Sequence, residues 1–314
     1  MLKLTGFDVL FAAAGNLYWL LMLAAMVLAL VKGKTWSRKI GLAALALSVF
    51  VGPLVPAMQR ESEQRERLAK AQAMFADRCK TAGEKIHKTV ESVEGIYLMK
   101  LRTTTNFSEQ FKLDDPYGHD STDEEYILNF LRGYYHQRNE PVIAGSPPRM
   151  GYAYVEAIDP KDDLRYRYTA GMKVVGQMDK DAPNVQLELK RNPSYDINIR
   201  AFVLDKTPAT GPTPRYGVTY DDISTSEERE YWIAGSNLKV VDRQTNEVIA
   251  ERIGYMVDWA QGSRAGGRSP WLFAAENACP DFNRNNLRRV PGPGFSAQAG
   301  QTLDFVEKVL KTTK

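Results

Sequence analysis

Residues 9–31 read VLFAAAGNLYWLLMLAAMVLALV, residues 32–39 read KGKTWSRK, and residues 40–58 read IGLAALALSVFVGPLVPAM. The two outer stretches hold no formal charge over 23 and 19 residues, and the inner one holds four Lys or Arg and no acid. A helix crosses the roughly 30 Å hydrocarbon core of a bilayer with about 20 apolar residues. The reading is a transmembrane helical hairpin, helices about 9–31 and 40–57, with a basic loop at 32–39. A buried core helix of a soluble protein rarely runs uncharged for this long. The first run is also too long for a signal-peptide core, and no clean small-x-small cleavage site follows it. It is therefore read as a retained anchor.

Short loops rich in Lys and Arg stay on the cytoplasmic side. That rule places the loop inside and the remaining chain outside, although Arg60, Arg65, Arg67 and Lys70 pull the other way. The chain has two cysteines, Cys79 and Cys279. An even count in an oxidising compartment points to one disulfide, the alternative being two unrelated thiols. Such a bond would close a loop of about 200 residues, worth about 5 kcal/mol in the chain-entropy model. The expected location is a bacterial inner membrane, with the soluble domain in the periplasm.

Of 41 Lys and Arg, five lie in residues 1–58, against one of the 38 acids. The remaining 36 and 37 leave residues 59–314 at −1, so the net +3 belongs to the membrane segment and marks no surface for nucleic acid. In the second run Ala44, Ser48 and Gly52 recur every four residues, a small-residue stripe that lets helices approach closely. Its partner is either the first helix or a second copy. Asn16 is the one strongly polar side chain of the first run and is assigned an interhelical hydrogen bond. Pro53 and Pro56 are expected to kink or end the second helix.

The remainder reads as α+β. Residues 59–93 form a charged stalk that becomes an amphipathic helix, with Leu68, Ala71, Phe75, Cys79, Ala82, Ile86 and Val90 on one face. Residues 94–314 form a β-rich domain, a mainly antiparallel sheet on which that juxtamembrane helix packs. Strands are expected at 96–102, 151–158, 164–169, 185–190, 197–204, 238–242 and 247–257, with turns at 160–163 and 243–246. Residues 126–135 are helix or strand. A short C-terminal helix is expected over 302–311.

No strong catalytic motif is present: no phosphate-binding glycine loop, HExxH or GxSxG. His87, His119 and His136 are scattered, so no cofactor or metal is assigned. Asp114, Asp115, His119, Asp120, Asp123, Glu124 and Glu125 form an acidic cluster, read as a solvated loop, with a cation site or catalytic carboxylates as alternatives. In 262–269 (GSRAGGRS) Arg264 and Arg268 are a possible anion clamp, with a mobile loop as the alternative. Asp221, Asp222, Glu227, Glu228 and Glu230, with Ser224, Thr225 and Ser226 before the glutamates, are read as a helix start or a turn. The functional expectation is a non-enzymatic envelope protein that binds other envelope proteins or itself, as an accessory or assembly subunit or a protective factor. The alternative is a membrane-anchored hydrolase of cell-wall or lipid substrates, using His119 or His136.

Overall fold

The computed structural model describes residues 7–32, 34–118, 121–132, 151–282, 298 and 300–312. The chain divides into two compact units, residues 1–70 and 71–314.

In the first unit, α1 (Phe7–Lys32) and α2 (Trp36–Val51) are long and apolar enough, the latter with its continuation, to cross a membrane. They pack antiparallel. Tyr18 and Phe50 stack edge to face at 5.3 Å, and the Tyr18 hydroxyl donates to the Phe50 carbonyl. Among the described side chains, Tyr18, Met22, Ala25, Met26 and Ala29 on α1, with Lys39, Ala43, Ala46, Phe50 and Val51 on α2, are the shielded positions. The joint is shorter than expected, because α2 begins at Trp36. Pro53 does not stop the helix. One tight turn, Gly52–Leu54, accommodates the proline, and α3 (Val55–Cys79) follows directly. Along its polar part Arg65 meets Glu61 at 2.5 Å and Lys70 meets Glu66 at 3.1 Å.

The amphipathic helix ends fourteen residues earlier than its apolar spacing suggests. After Cys79 the chain turns through Gly83, whose φ of +146° suits only glycine, into β1 (Gly83–Ile86) and β2 (Val90–Val93). Ile86 and Val90 continue a helical spacing by coincidence. β1 is captured by β9 (Glu247–Val257), whose edge offers a ladder that an isolated helix end lacks.

Among the described residues the main sheet has nine strands. β3 (Gly95–Leu98) lies between β4 (Tyr154–Asp159) and β7 (Tyr216–Asp222), parallel to both. The sheet is therefore mixed: the two ladders of β3 are parallel, while the other six described ladders are antiparallel, in line with the mainly antiparallel expectation. β5 (Leu164–Gln177) and β6 (Asn198–Pro208) continue antiparallel from β4, and β8 (Ile233–Asp242) and β9 continue antiparallel from β7. Residues 185–190 are not a strand. They lie in a helix, α5 (Pro183–Arg191), started by Pro183 at its first position and sustained by good helix formers. β7 has no counterpart among the expected strands, although Tyr216, Val218 and Tyr220 alternate with more polar or small neighbours.

On one face Ile96, Leu98, Val155, Ala157, Val218 and Val240 form the core with α4 (Asp123–Arg132) and α8 (Gln301–Val309). After α8, β11 (Leu310–Thr312) pairs in parallel with β2. On the other face, at the β8–β9 end, Met74 and Phe75 of α3 pack on Ile233, Tyr255 and Val257, and Phe75 meets Trp259 edge to face at 5.6 Å.

Phe130 of α4 is fully buried between Tyr126 and Tyr152. Phe130→Ala is expected to lower unfolding free energy by about 3–5 kcal/mol, read as a shifted denaturation midpoint at unchanged slope.

Candidate functional site

The connection from β3 to α4 begins with residues 99–118, and its backbone is held from several sides. Asn106 is its internal hub. Its Oδ1 accepts from the amides of Ser108 (3.2 Å) and Glu109 (2.8 Å), and its Nδ2 donates to the Glu109 carbonyl and Asp114 Oδ1, both at 3.0 Å. An asparagine bonding the backbone two and three residues on is a local turn device. Gln110 Nε2 donates to the carbonyls of Arg229 (2.8 Å) and Glu230 (3.1 Å). From α7 (Pro270–Ala274), Trp271 donates its amide to the Phe107 carbonyl and its indole N–H to the Glu109 carbonyl, each at 3.1 Å.

Beneath this loop lie two buried ion pairs. Arg102 Nη2 donates to Asp115 Oδ2 at 3.0 Å, and the Gly118 amide donates to Asp115 Oδ1 at 2.9 Å. Asp222 accepts from Arg229 and, at 3.1 Å, from the Asp115 amide. Burial raises the Asp115 carboxyl above its ordinary range, with Arg102 pulling it back. The Arg102 guanidinium lies 3.5 Å over the Tyr220 ring, whose hydroxyl burial pushes up to about 12. Both carboxylates are already met by guanidinium and amide donors, so the arrangement anchors a loop to the sheet.

Above that anchor, the loop turns large apolar side chains outward. Phe111 is 59% exposed and Leu113 58%, with Phe107 close behind. Nothing in the periodicity of 106–114 marks these as surface residues; the one local signal is Asn106 followed by Ser108.

The residues singled out from the sequence fall as follows. Cys79 and Cys279 form a disulfide, joining the end of α3 to β10 (Ala278–Cys279), which pairs with β9. Asn16, Ala44, Ser48 and Gly52 are all exposed. The stripe 44/48/52 is off the face that α2 turns to α1, because a 3.6-residue period puts Ala43, Ala46 and Phe50 there instead. Ser48 Oγ bonds its own helix at the Ala44 carbonyl, 2.8 Å away. Arg264 and Arg268 bond to different partners. Arg264 donates to the Ser108 carbonyl at 3.0 Å. Arg268 makes a two-pronged pair with the buried Asp258. Asp258 also accepts from the amides of Ala260 (3.1 Å) and Gly262 (2.9 Å), so loop 261–269 is tied down rather than open for an anion.

The acidic cluster is likewise divided. Asp114 faces Asn106 and Lys112, Asp115 faces Arg102, and Glu125 in the first turn of α4 pairs with Arg132 at 2.9 Å. His119 and Asp120 lie outside the described residues, as does His136. Among the described residues no group of three His, Cys, Asp or Glu side chains is placed to hold a metal. The group after Asp222 does start a helix, α6 (Ser226–Glu230). Thr225 and Glu228 form a reciprocal capping box, and the free oxygen of Glu228 pairs with Arg78 of α3.

No family model, curated protein or solved structure matches the chain.

Two outcomes follow from these ion pairs. Asp258→Ala leaves Arg268 and two amides without their acceptor, and is expected to cost roughly 3 kcal/mol and to speed cleavage within 261–269 under limited proteolysis. At the β8 terminus, Arg215 hydrogen bonds hold the Asp242 carboxyl below the ordinary carboxylate range. A lowered native pKa contributes stability that is full above about pH 4 and is lost as pH falls through the native value. Arg215→Gln is expected to flatten that acid limb in denaturation midpoints measured from pH 6 to pH 2.

Proposed function

We propose that this chain is a two-span protein of a bacterial inner membrane whose residues 71–314 form a periplasmic domain that binds other proteins, serving as an accessory or assembly subunit or a protective factor. The observation that carries the reading is the Cys79–Cys279 disulfide in a chain with two apolar spans. Disulfides persist in oxidising compartments and are rare where thiols are kept reduced. The basic loop between the spans supports the same orientation through the positive-inside rule. The binding role draws on loop 106–114, where hydrogen bonds fix the backbone while Phe111 and Leu113 remain in water. Exposed apolar groups on a fixed frame are a usual mark of a contact surface. The hydrolase alternative relied on His119 and His136 and gains no support from the described residues.

The test is labelling of intact cells with a membrane-impermeant maleimide under denaturing quench, with and without prior reduction. The expected result is labelling only after reduction. Thiols that react solely after lysis, and without reductant, would overturn the periplasmic reading.

A further inference from the structure

Between Asp8 and Glu61 the sequence holds no acid, yet Lys32, Lys34, Arg38 and Lys39 fall within eight residues at the joint of α1 and α2. At 1.5 Å per helical residue, Asp8 stands about 36 Å from Lys32 along α1, and Glu61 about as far from Trp36 along the other arm. No carboxylate of the hairpin reaches these cations. Among the described residues, the first salt bridge along the chain is that of Arg65 with Glu61. Lys32, in the last turn of α1, stands at that helix's own negative end. Lys34, Arg38 and Lys39 have no such use. Thr35 makes no side-chain cap and the first turn of α2 has no acid, so the positive end of α2 adds to the same field. Lys39 Nζ lies 5.9 Å from the centre of the Trp36 ring, and Trp36 is 78% exposed.

The place selects the occupant. Both apolar spans end at this joint, so in a two-span protein it lies at the headgroup level of the bilayer, where exposed tryptophan is favoured. The anions fixed at that level are lipid phosphates. The other membrane flank differs, because Arg60, Arg65, Arg67 and Lys70 are interleaved there with Glu61, Glu63 and Glu66. Arg65 and Lys70 already meet acids of their own helix. Resting on the proposed two-span architecture, we infer that residues 34–39 bind the phosphate of an anionic phospholipid. Arg38 offers paired N–H donors to the phosphate oxygens, and Lys34 and Lys39 offer point charges. Trp36 lies against the glycerol and upper acyl carbons. A zwitterionic headgroup brings an ammonium that three cations repel, so the site selects lipid of net negative charge.

The full chain in detergent micelles is incubated with equal amounts of phosphatidylglycerol and phosphatidylcholine, and native mass spectrometry counts the lipid retained. The parent is expected to favour phosphatidylglycerol by roughly fivefold. Lys34→Gln with Arg38→Gln and Lys39→Gln should cut that retention by roughly tenfold, and Trp36→Ala by about threefold. The charge-keeping pair K34R/K39R should match the parent. Arg60→Gln with Arg65→Gln and Arg67→Gln removes as many cations from the other flank and should leave retention unchanged. Circular dichroism and an intact Cys79–Cys279 bond serve as folding controls. Equal retention of the two lipids by the parent, undiminished retention by the 34/38/39 variant, or an equal loss from the 60/65/67 variant would overturn the inference. Displacement of the lipid by inorganic phosphate at matched ionic strength would make free phosphate the ligand and overturn the lipid source. Failure of the underlying architecture reads differently: a full chain that stays soluble and monodisperse without detergent overturns the two spans themselves. An outward-facing loop in the maleimide labelling leaves the binding result intact and moves the site to the opposite leaflet.

Discussion

β3 is four residues long, and every one of them, Gly95 to Leu98, is buried. It pairs in parallel with β4 on one side and β7 on the other, so it joins two antiparallel ladders that would otherwise be separate sheets. Parallel neighbours cannot be joined by a tight turn; they need a long crossover. The crossover from β3 toward β4 carries both α4, which covers the core together with α8, and loop 99–118, the candidate contact surface. Close packing is part of the same constraint. A Cβ at position 95 would stand 2.3 Å from the Tyr154 ring, which lies directly on the glycine backbone. The strand thus accepts a neighbour's aromatic where any other residue would push it away.

The two sheet faces are used differently. One is covered by α4 and α8 and forms the principal core. The other, at the β8–β9 end, receives α3, and there three kinds of bond act within a few residues of one another. Phe75 stacks on Trp259, Arg78 pairs with the buried Glu228, and Cys79 is bonded to Cys279. Apolar burial, a charge-assisted hydrogen bond and a covalent link respond differently to salt, pH and reductant, so no single change of conditions releases the end of α3.

Local signals were legible and non-local ones were not. The turn 243–246 between β8 and β9, and the turn 160–163 between β4 and β5, follow from polar residues between alternating strands, a pattern contained in about a dozen residues. The pairing of β3 with β7, more than a hundred residues away, leaves no such trace. Val185, Leu187 and Leu189 alternate as a strand would, yet Pro183 starts a helix there. Ile86 and Val90 keep helical spacing inside strands. In the site, the pairing of Cys79 with Cys279 followed from there being only two cysteines. The fate of Arg268 depended on Asp258, ten residues back, which periodicity does not connect to it. Exposure of Phe111 and Leu113 is a tertiary fact, set by where Asn106, Gln110 and Trp271 hold the backbone.

The single disulfide also bears on synthesis. Cys79 and Cys279 are 200 residues apart and are the chain's only cysteines. At about 5–20 residues per second, roughly 10–40 seconds separate their emergence from the ribosome. During that interval Cys79 has no partner within its own chain, and afterwards it has one. Shuffled isomers within one molecule are therefore impossible, and every erroneous bond must join two molecules. The frequency of such errors therefore scales with the concentration of chains, not with a choice among internal pairings.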